Sequence, residues 1–381
     1  VKIIVIGGGI GGLTTGVALQ QRGFEVRIYE SAPQLEPVGK GIWVPTNAML
    51  VLDRLGLGDQ VAARGIPLDR VEIHDRRHGV LQAVDMQRIC QQFGRTTVSI
   101  RRSVLQFVLA AAIPEETIHL GKRCVGVAQD GQRVVAQFAD GSEAAGDIVI
   151  GADGIRSVVR RAVAPDAALR YTGQTCYLGI AHVRLPSALA RTVQEVWGGA
   201  ARIGFSAVDA ERVYWFAPIT AAAGGVGRAD SSVVDALASR YANFPEPIPE
   251  IIQHTPEDDV LRVDLHDLRP LKHWWNGRIA LVGDAAHAMT PNLGQGGAQA
   301  IEDAYVIAES LAQAKTPQEA FANYVRVRQA KAQRIARTAW WLGQLAHLEA
   351  RWARTLRNWA FGATPERIKR RQLADIYSLS Y

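Results

Sequence analysis

Three short stretches of the sequence carry residues spaced for ligand chemistry. The first is Gly7-Gly8-Gly9-Ile10-Gly11-Gly12, with G-x-G-x-x-G at Gly7, Gly9 and Gly12 and an acid, Glu30, eighteen residues later. Glycines at this spacing let a chain turn sharply, bring backbone N–H groups up to a pyrophosphate, and let a helix pack closely on a strand. A carboxylate at Glu30 accepts hydrogen bonds from ribose hydroxyls. The second stretch is Gly151-Ala152-Asp153-Gly154-Ile155-Arg156-Ser157, an acid in a glycine-rich turn. The third is Gly283-Asp284-Ala285-Ala286-His287, followed by Pro291-Asn292-Leu293-Gly294-Gln295-Gly296-Gly297. Closely spaced glycines before a helix expose N–H donors to a ligand, and Asp284 is placed to accept from a hydroxyl. His287 is the tempting base, but it sits among small residues with no partner visible in sequence, so it reads as structural.

These residues need elements to hold them. Lys2–Ile6 is a β-branched apolar run that suits a strand buried on both faces. A helical pattern follows to Gly23, then a second strand over Glu25–Tyr29, with Glu30 at its carboxyl end. Strand, glycines, helix, strand and acid in this order make a dinucleotide site of what would otherwise be a weak motif. The motif alone leaves FAD and NAD(P) both open. Buried strands over 147–150 and 278–282 lead into the second and third stretches, the one continuing into a helix carrying Val158, Val159 and Arg160, the other into a helix from Ala298 to about Ala312.

Between them the pattern predicts a helix over 47–55, paired strands over 71–75 and 81–85 turning at 77–79, a strand over 97–100 and a helix over 102–112. Strands over 125–127 and Val134–Phe138 follow, with a turn at Asp140-Gly141. Strands over 175–183, Arg202–Ala207 and 212–219 form an inserted antiparallel module, with a flexible link or lid over 221–227 that contains Gly224-Gly225 and a rigid proline-rich connector over 244–249. From Thr316 the chain reads as helical to its end, broken near 362–365.

The chain has 381 residues, 48% apolar and 21% charged, enough for two domains and an ordinary globular core. The apolar run over 104–113, interrupted by Gln106, is too short to span a bilayer. The sequence opens on a core strand with no signal-like segment, and Cys90, Cys124 and Cys176 form no C-x-x-C, so a cytoplasmic setting is expected. Residues 321–381 hold twelve Lys/Arg against three Asp/Glu, although the whole chain carries only +6. The basicity belongs to that tail, and nucleic-acid binding by the main body is not indicated. The tail also carries Trp340, Trp341, Trp352 and Trp359 near helical spacing. It reads as a helix packed across both domains or, more sharply, as a membrane-surface or partner helix.

Three ligand stretches spread over nearly 300 residues have to converge. The sequence resembles the single-component (group A) flavoprotein aromatic hydroxylases with the p-hydroxybenzoate hydroxylase fold, over residues 1 to about 335. The carriers are GGGIGG (7–12), GADGIRSVVR (151–160) and GDAAHAMTPNLGQGG (283–297), in that order. The resemblance implies an α/β fold: a Rossmann-like FAD-binding domain of the GR2 type built from 1–69, 97–171 and 270–330, and a mostly antiparallel substrate domain from 70–96 and 172–269. A C-terminal helix over 331–381 would bridge them. It implies non-covalent FAD held by Gly7, Gly9, Gly11 and Gly12 at the pyrophosphate and by Glu30 at the ribose, with Ser31 a further cofactor contact. Arg102 would reach the phosphates, with Trp43 and Cys124 as further contacts. Asp153 would serve both FAD and a transient NAD(P)H, and Asp284 the pyrophosphate or ribityl chain. Gly294, Gln295, Gly296 and Gly297 would present N–H groups to the flavin, and Pro291 would sit where oxygen reacts. No metal is implied.

The implied activity is monooxygenation. NAD(P)H reduces FAD, O2 is captured as a C4a-hydroperoxide, and one oxygen passes to a small aromatic or unsaturated substrate. Arg202 and Tyr214 match the substrate arginine and tyrosine of FAD-dependent urate hydroxylases. Cys176 and Asn292 stand where those enzymes have Asn and Asp, which puts urate in doubt. The blander readings are a surface salt bridge for Arg202 and a core tyrosine for Tyr214. A tetracycline-inactivating or carotenoid- or quinone-lipid-type monooxygenase is the alternative within the family, and a flavin oxidoreductase without oxygen transfer the alternative of another class. The expected oligomer is a monomer or homodimer.

Overall fold

A computed structural model describes residues 1–35, 40–77, 79–199, 201–224, 232–379 and 381. Its centre is a six-stranded sheet in the order Trp275–Asn276, Ile279–Leu281, Ile148–Gly151, Lys2–Ile6, Glu25–Tyr29, Ile118–His119. All pairings are parallel except that of the Trp275–Asn276 edge. Ile3, Ile4 and Val5 are fully buried, as a strand covered on both faces requires. The register sets Ile6 beside both Tyr29 and Gly151, and Gly151 beside Leu281. The three glycine turns therefore leave the same edge of the sheet side by side, at the carboxyl ends where α/β sheets bind ligands.

The helix Ile10–Gln20 packs on this sheet and against the helix Gly296–Gln313. Two small sheets flank it: Cys124–Gln129 with Val134–Phe138 and Glu143–Gly146, and Gly41–Val44 with Val98–Arg101 and Ile66–Pro67. A seven-stranded sheet stands apart, in the order Leu261–Leu268, Leu169–Ala181, Val213–Thr220, Arg202–Ala207, Thr192–Trp197, Arg70–Asp75, Gly79–Asp85. It is antiparallel except between Thr192–Trp197 and Arg70–Asp75. Its own apolar core includes Ile203, Phe205, Val213, Trp215 and Tyr241.

Several expectations are corrected. The strand expected from 175 begins at Leu169, with a bulge between Tyr171 and Thr175. The 244–249 connector is only partly a loop, because Ile248–Gln253 is a helix that uses a proline in its first turn, where the missing N–H costs nothing. The helix after the second turn is a single turn, Arg160–Val163. The tail is three helices, Pro317–Ala346, Arg351–Ala363 and Glu366–Tyr377, with an additional break at His347. The first is capped by the Thr316 hydroxyl, which accepts from the Glu319 N–H, and buries Phe321, Tyr324, Arg328, Ala332, Ile335, Ala339, Gly343 and Ala346 at helical spacing. His78 of the expected 77–79 turn and Gly225 of the expected link lie outside the described residues.

Candidate active site

Gly7 turns the chain at φ +106°, and a side chain there would collide with the Ala152 carbonyl, while one at Gly12 would collide with the Gly7 carbonyl. Both glycines are needed to bring the helix Ile10–Gln20 down onto the sheet. Gly9 differs: a Cβ there would meet nothing within 4 Å, because the residue faces a groove. Among the described residues no side chain caps this helix, so its first N–H donors and positive dipole end are available to an anion. Glu30 accepts from the Gly8 N–H (2.6 Å), the Ser31 hydroxyl and the Ala32 N–H (both 2.8 Å), which fix its carboxylate at the rim of a small cavity of about 100 Å³.

That cavity shares Gly9, Ile10 and Arg102 with a larger one of about 320 Å³. Arg102 thus stands at the joint of one long groove. Its guanidinium makes no hydrogen bond or ion pair with the described residues, and such an uncompensated cation beside a helix N-terminus suits a pyrophosphate. The larger cavity is walled by Ile42, Trp43, Cys176, Leu178, Tyr214, Phe216, Met289 and Pro291, together with Gly11, Gly294, Gly296 and Gly297. Trp43 is held edge-on to Phe216 at 5.5 Å and donates to the Ser206 hydroxyl at 2.9 Å. Gly41 is obligatory because any Cβ would enter the Tyr214 ring. Tyr214 is half-buried on the cavity wall, and desolvation pushes its phenol pKa well above the ordinary value. Asp284 is exposed and lines the groove; desolvation by the surrounding protein raises its carboxyl, and the charges of His287, Arg102 and Arg160 pull it back. An acid at one end, a free cation at the joint, exposed glycine backbone and an apolar far end fit an extended FAD.

The structure brings Gly9, Gly11, Trp43, Arg102, Cys176, Tyr214, Asp284, Pro291, Gly294, Gly296 and Gly297 onto this groove, with Gly7 and Gly12 beneath it and Glu30 at its end. Other expected residues have different partners. Asp153 accepts from Ser157 Oγ (2.5 Å) and the N–H groups of Val158 and Val159, so its carboxylate caps its own turn, while Gly154 lines the groove. The Ser31 hydroxyl serves Glu30. Cys124 does not line the groove; burial pushes its thiol up to about 11. The Gln295 side chain is buried against Asn47 and Gln299.

Arg202 is 1% exposed and does not line the cavity. It donates to Glu195 at 2.6 Å and to the Asn292 carbonyl oxygen, while Asn292 also donates to Thr290 and to the Ala339 carbonyl. The two expected substrate residues therefore hold each other behind Cys176. The exposed ion pair considered for Arg202 is instead a buried one.

His287 does have a partner. Its Nε2 lies 2.5 Å from Asp303, whose carboxylate also accepts from the Gly283 N–H and from Arg328 (2.8 Å). Arg328 continues to Glu302 (2.5 Å), which also accepts from Lys331 and Asn47. Enclosure would raise Asp303, but the positive field of His287 and Arg328 holds it below the usual carboxylate range. Here His287 is a buried strut under the Gly283 turn. Leu178 and Phe216, absent from the expected site, lie two residues beyond Cys176 and Tyr214 on the same strand faces and pair directly. Period-two alternation could have found them. Arg160 was also missed; it donates to the carbonyls of Ile155 and Ala285 and so ties the second turn to the third.

A relative named aurachin C monooxygenase/isomerase, from Stigmatella aurantiaca, is 36% identical over 347 residues, covering 91% of this chain and 90% of its own. The 2-heptyl-3-hydroxy-4(1H)-quinolone synthase of Pseudomonas aeruginosa is 32% identical over 373 residues, covering 97% and 96%. The structure of Klebsiella pneumoniae HpxO complexed with FAD and uric acid superposes with a TM-score of 0.90 at 27% identity, covering 99% of this chain and 96% of that one. Residues 1–339 match the family FAD_binding_3, FAD binding domain; the chain belongs to that family and is an FAD-dependent monooxygenase.

Proposed function

We propose that the protein hydroxylates a neutral, largely apolar bicyclic aromatic of the 4-quinolone class, at the expense of NAD(P)H and O2. The observation that carries this is the state of Arg202. Its charge is paired with Glu195, it also donates to Asn292, and it does not line the cavity, so among the described residues the cation expected to hold the substrate is not offered to a ligand there. A site for an anion such as urate needs that charge. What the seven-stranded sheet offers instead is Leu178, Phe216 and the Tyr214 ring, facing Ile42, Trp43 and Met289. The relative named for a heptyl-quinolone product supports the same class.

Bound flavin would supply the redox chemistry, with the balance substrate-H + O2 + NAD(P)H + H⁺ giving substrate-OH + NAD(P)⁺ + H2O. The chain's own residues position and shield. The glycine backbone at the start of the Gly296–Gln313 helix offers a positive dipole end to negative charge on the bound group. Trp43, Leu178, Phe216 and Pro291 exclude water from the reacting centre. The Tyr214 phenol keeps its proton through the physiological range, so it is a donor for a substrate carbonyl. Among the described lining residues the oxygen acid–base groups are Asp284 and Tyr214, with no histidine or lysine, which suits an already electron-rich ring.

The test is NAD(P)H oxidation by FAD-loaded protein with 2-heptyl-4-quinolone, urate and salicylate, alongside peroxide release and isotope-labelled O2. Coupled turnover with one labelled oxygen in the quinolone product is expected. Coupled turnover of urate alone would overturn the substrate class. Products without labelled oxygen would overturn monooxygenation in favour of a flavin oxidoreductase.

A further inference from the structure

The helix Arg351–Ala363 is amphipathic the wrong way round for a piece of protein core. Its polar side faces the body: Arg357 donates to the carbonyls of Leu345 and Ala346, and Asn358 to Asp75. Its apolar stripe, Trp352, Leu356 and Trp359, spaced four and three residues apart, faces out, at 74%, 57% and 69% exposure. The preceding helix adds Trp341, 66% exposed, and Leu345 one turn later. One and two turns before Trp341, the same outer side carries Arg337 and Arg334, both exposed, and Arg351, Arg367 and Arg371 are exposed on the helices that follow. A run of large exposed apolar residues on this scale marks a docking surface rather than ordinary solvent-facing texture.

We propose that this face docks the enzyme on an anionic lipid bilayer, lying flat at the headgroup level. Three of the five exposed large apolar residues are tryptophans, whose ring buries while its N–H stays wet, the residue type that sits at membrane interfaces. The surrounding charge has the matching sign: among the described residues of these helices Arg334, Arg337, Arg351, Arg367 and Arg371 are exposed against the exposed acids Glu349 and Asp375, while Arg328, Lys331 and Arg357 are turned inward. Arginines beside an apolar stripe engage lipid phosphates, each contributing roughly a five-fold factor at an anionic surface. A second copy of the chain fits worse, because a two-fold contact sets each patch against itself and brings like charges together. Among the described residues no helix is long and apolar enough to cross a membrane, and the proposed contact is one at the surface. The face also adjoins the cleft wall. Ala339 and Gly343, on the inner side of the same helix turns as Trp341, contact Asn292, next to Pro291 in the cavity lining. The docking surface does not depend on which substrate the cleft takes.

Co-sedimentation of the full-length, FAD-loaded protein with vesicles tests this. Binding is expected to phosphatidylcholine vesicles containing phosphatidylglycerol, weaker binding to phosphatidylcholine alone, and release in high salt. Trp352→Ser with Trp359→Ser should weaken binding ~10-fold or more while flavin absorbance and melting temperature hold. Arg334→Gln with Arg337→Gln should weaken binding to the anionic vesicles only. No binding at low salt, or unaltered binding by the tryptophan variant, overturns the proposal. So does light scattering that shows a dimer abolished by those same tryptophan changes, which assigns the face to a second copy.

Discussion

Arg102 and Arg202 carry the same guanidinium into opposite electrostatic situations. Arg102 faces the joint of the groove with no carboxylate paired to it among the described residues, so its charge is available to the FAD phosphates. Replacing it with Ala removes charge-assisted hydrogen bonds, and FAD affinity should fall roughly 10- to 100-fold, read by fluorescence titration of the apoprotein. Arg202 is fully buried against Glu195, which also accepts from Trp197 at 2.6 Å. Glu195→Gln leaves that guanidinium charged and uncompensated behind Cys176. The expected outcome is twofold: a loss of about 3 kcal/mol of stability by thermal or denaturant unfolding, and a gain of anion binding, seen as a flavin spectral shift on adding urate. A variant that is destabilised yet blind to anions would sink the view that Glu195 sets the charge class of the substrate.

Among the elements, what sequence could show depended on whether a contact was local. The opening strand–glycine–helix–strand unit declares itself within thirty residues, because turn, close packing and acid all lie on one βαβ unit. The pairing of His287 with Asp303, and of Asp303 with Arg328, joins a turn to two helices across 16 and 25 positions, and no periodicity reports that. The strand Leu261–Leu268 alternates in sequence, but Val263 is 37% exposed and the buried end carries Asp267, so its pattern reads weakly. Arg202 was placed on the correct strand; that it points into a buried ion pair was decided by Glu195 on the neighbouring strand, paired two residues out of register. Because Arg328 fastens the Gly283 turn to the Gly296–Gln313 and Pro317–Ala346 helices, Arg328→Met strands Glu302 and Asp303 without their main cation. We expect a loss of about 3–5 kcal/mol, with FAD retention falling in step, checked by melting with and without added FAD.

For the whole molecule, the parallel sheet and the antiparallel sheet each have an apolar core of their own; Tyr214 and Phe216, which wall the cavity, lie on the face of the antiparallel sheet turned away from its core residues Val213 and Trp215, and the helix Pro317–Ala346 reaches both sheets. Its start packs Phe321 and Tyr324 into the first. Its end places His347 between the carbonyls of Gly343 (3.1 Å) and Pro218 (3.3 Å), the latter on the antiparallel sheet. Burial first, then the positive charge of Arg202, lowers the His347 pKa to about 4. The neutral form is thus the one the folded protein holds, whereas the unfolded chain takes up the proton at its ordinary value near ~6.5. This contribution to stability is complete above that value, declines as pH falls towards 4, and is gone below it, by up to about 3 kcal/mol if the whole shift is realised. Carboxylates also titrate in this range, so the informative quantity is the difference between the protein and His347→Gln. Denaturant unfolding from pH 8 to pH 4 should show the advantage of the native residue narrowing below pH 6.5. Parallel curves would mean that the helix–sheet junction does not sense protons. A narrowing accompanied by earlier loss of substrate-induced flavin changes than of FAD itself would place the acid-sensitive step at the junction between the two cores, because His347 touches the substrate wall and not the adenosine end.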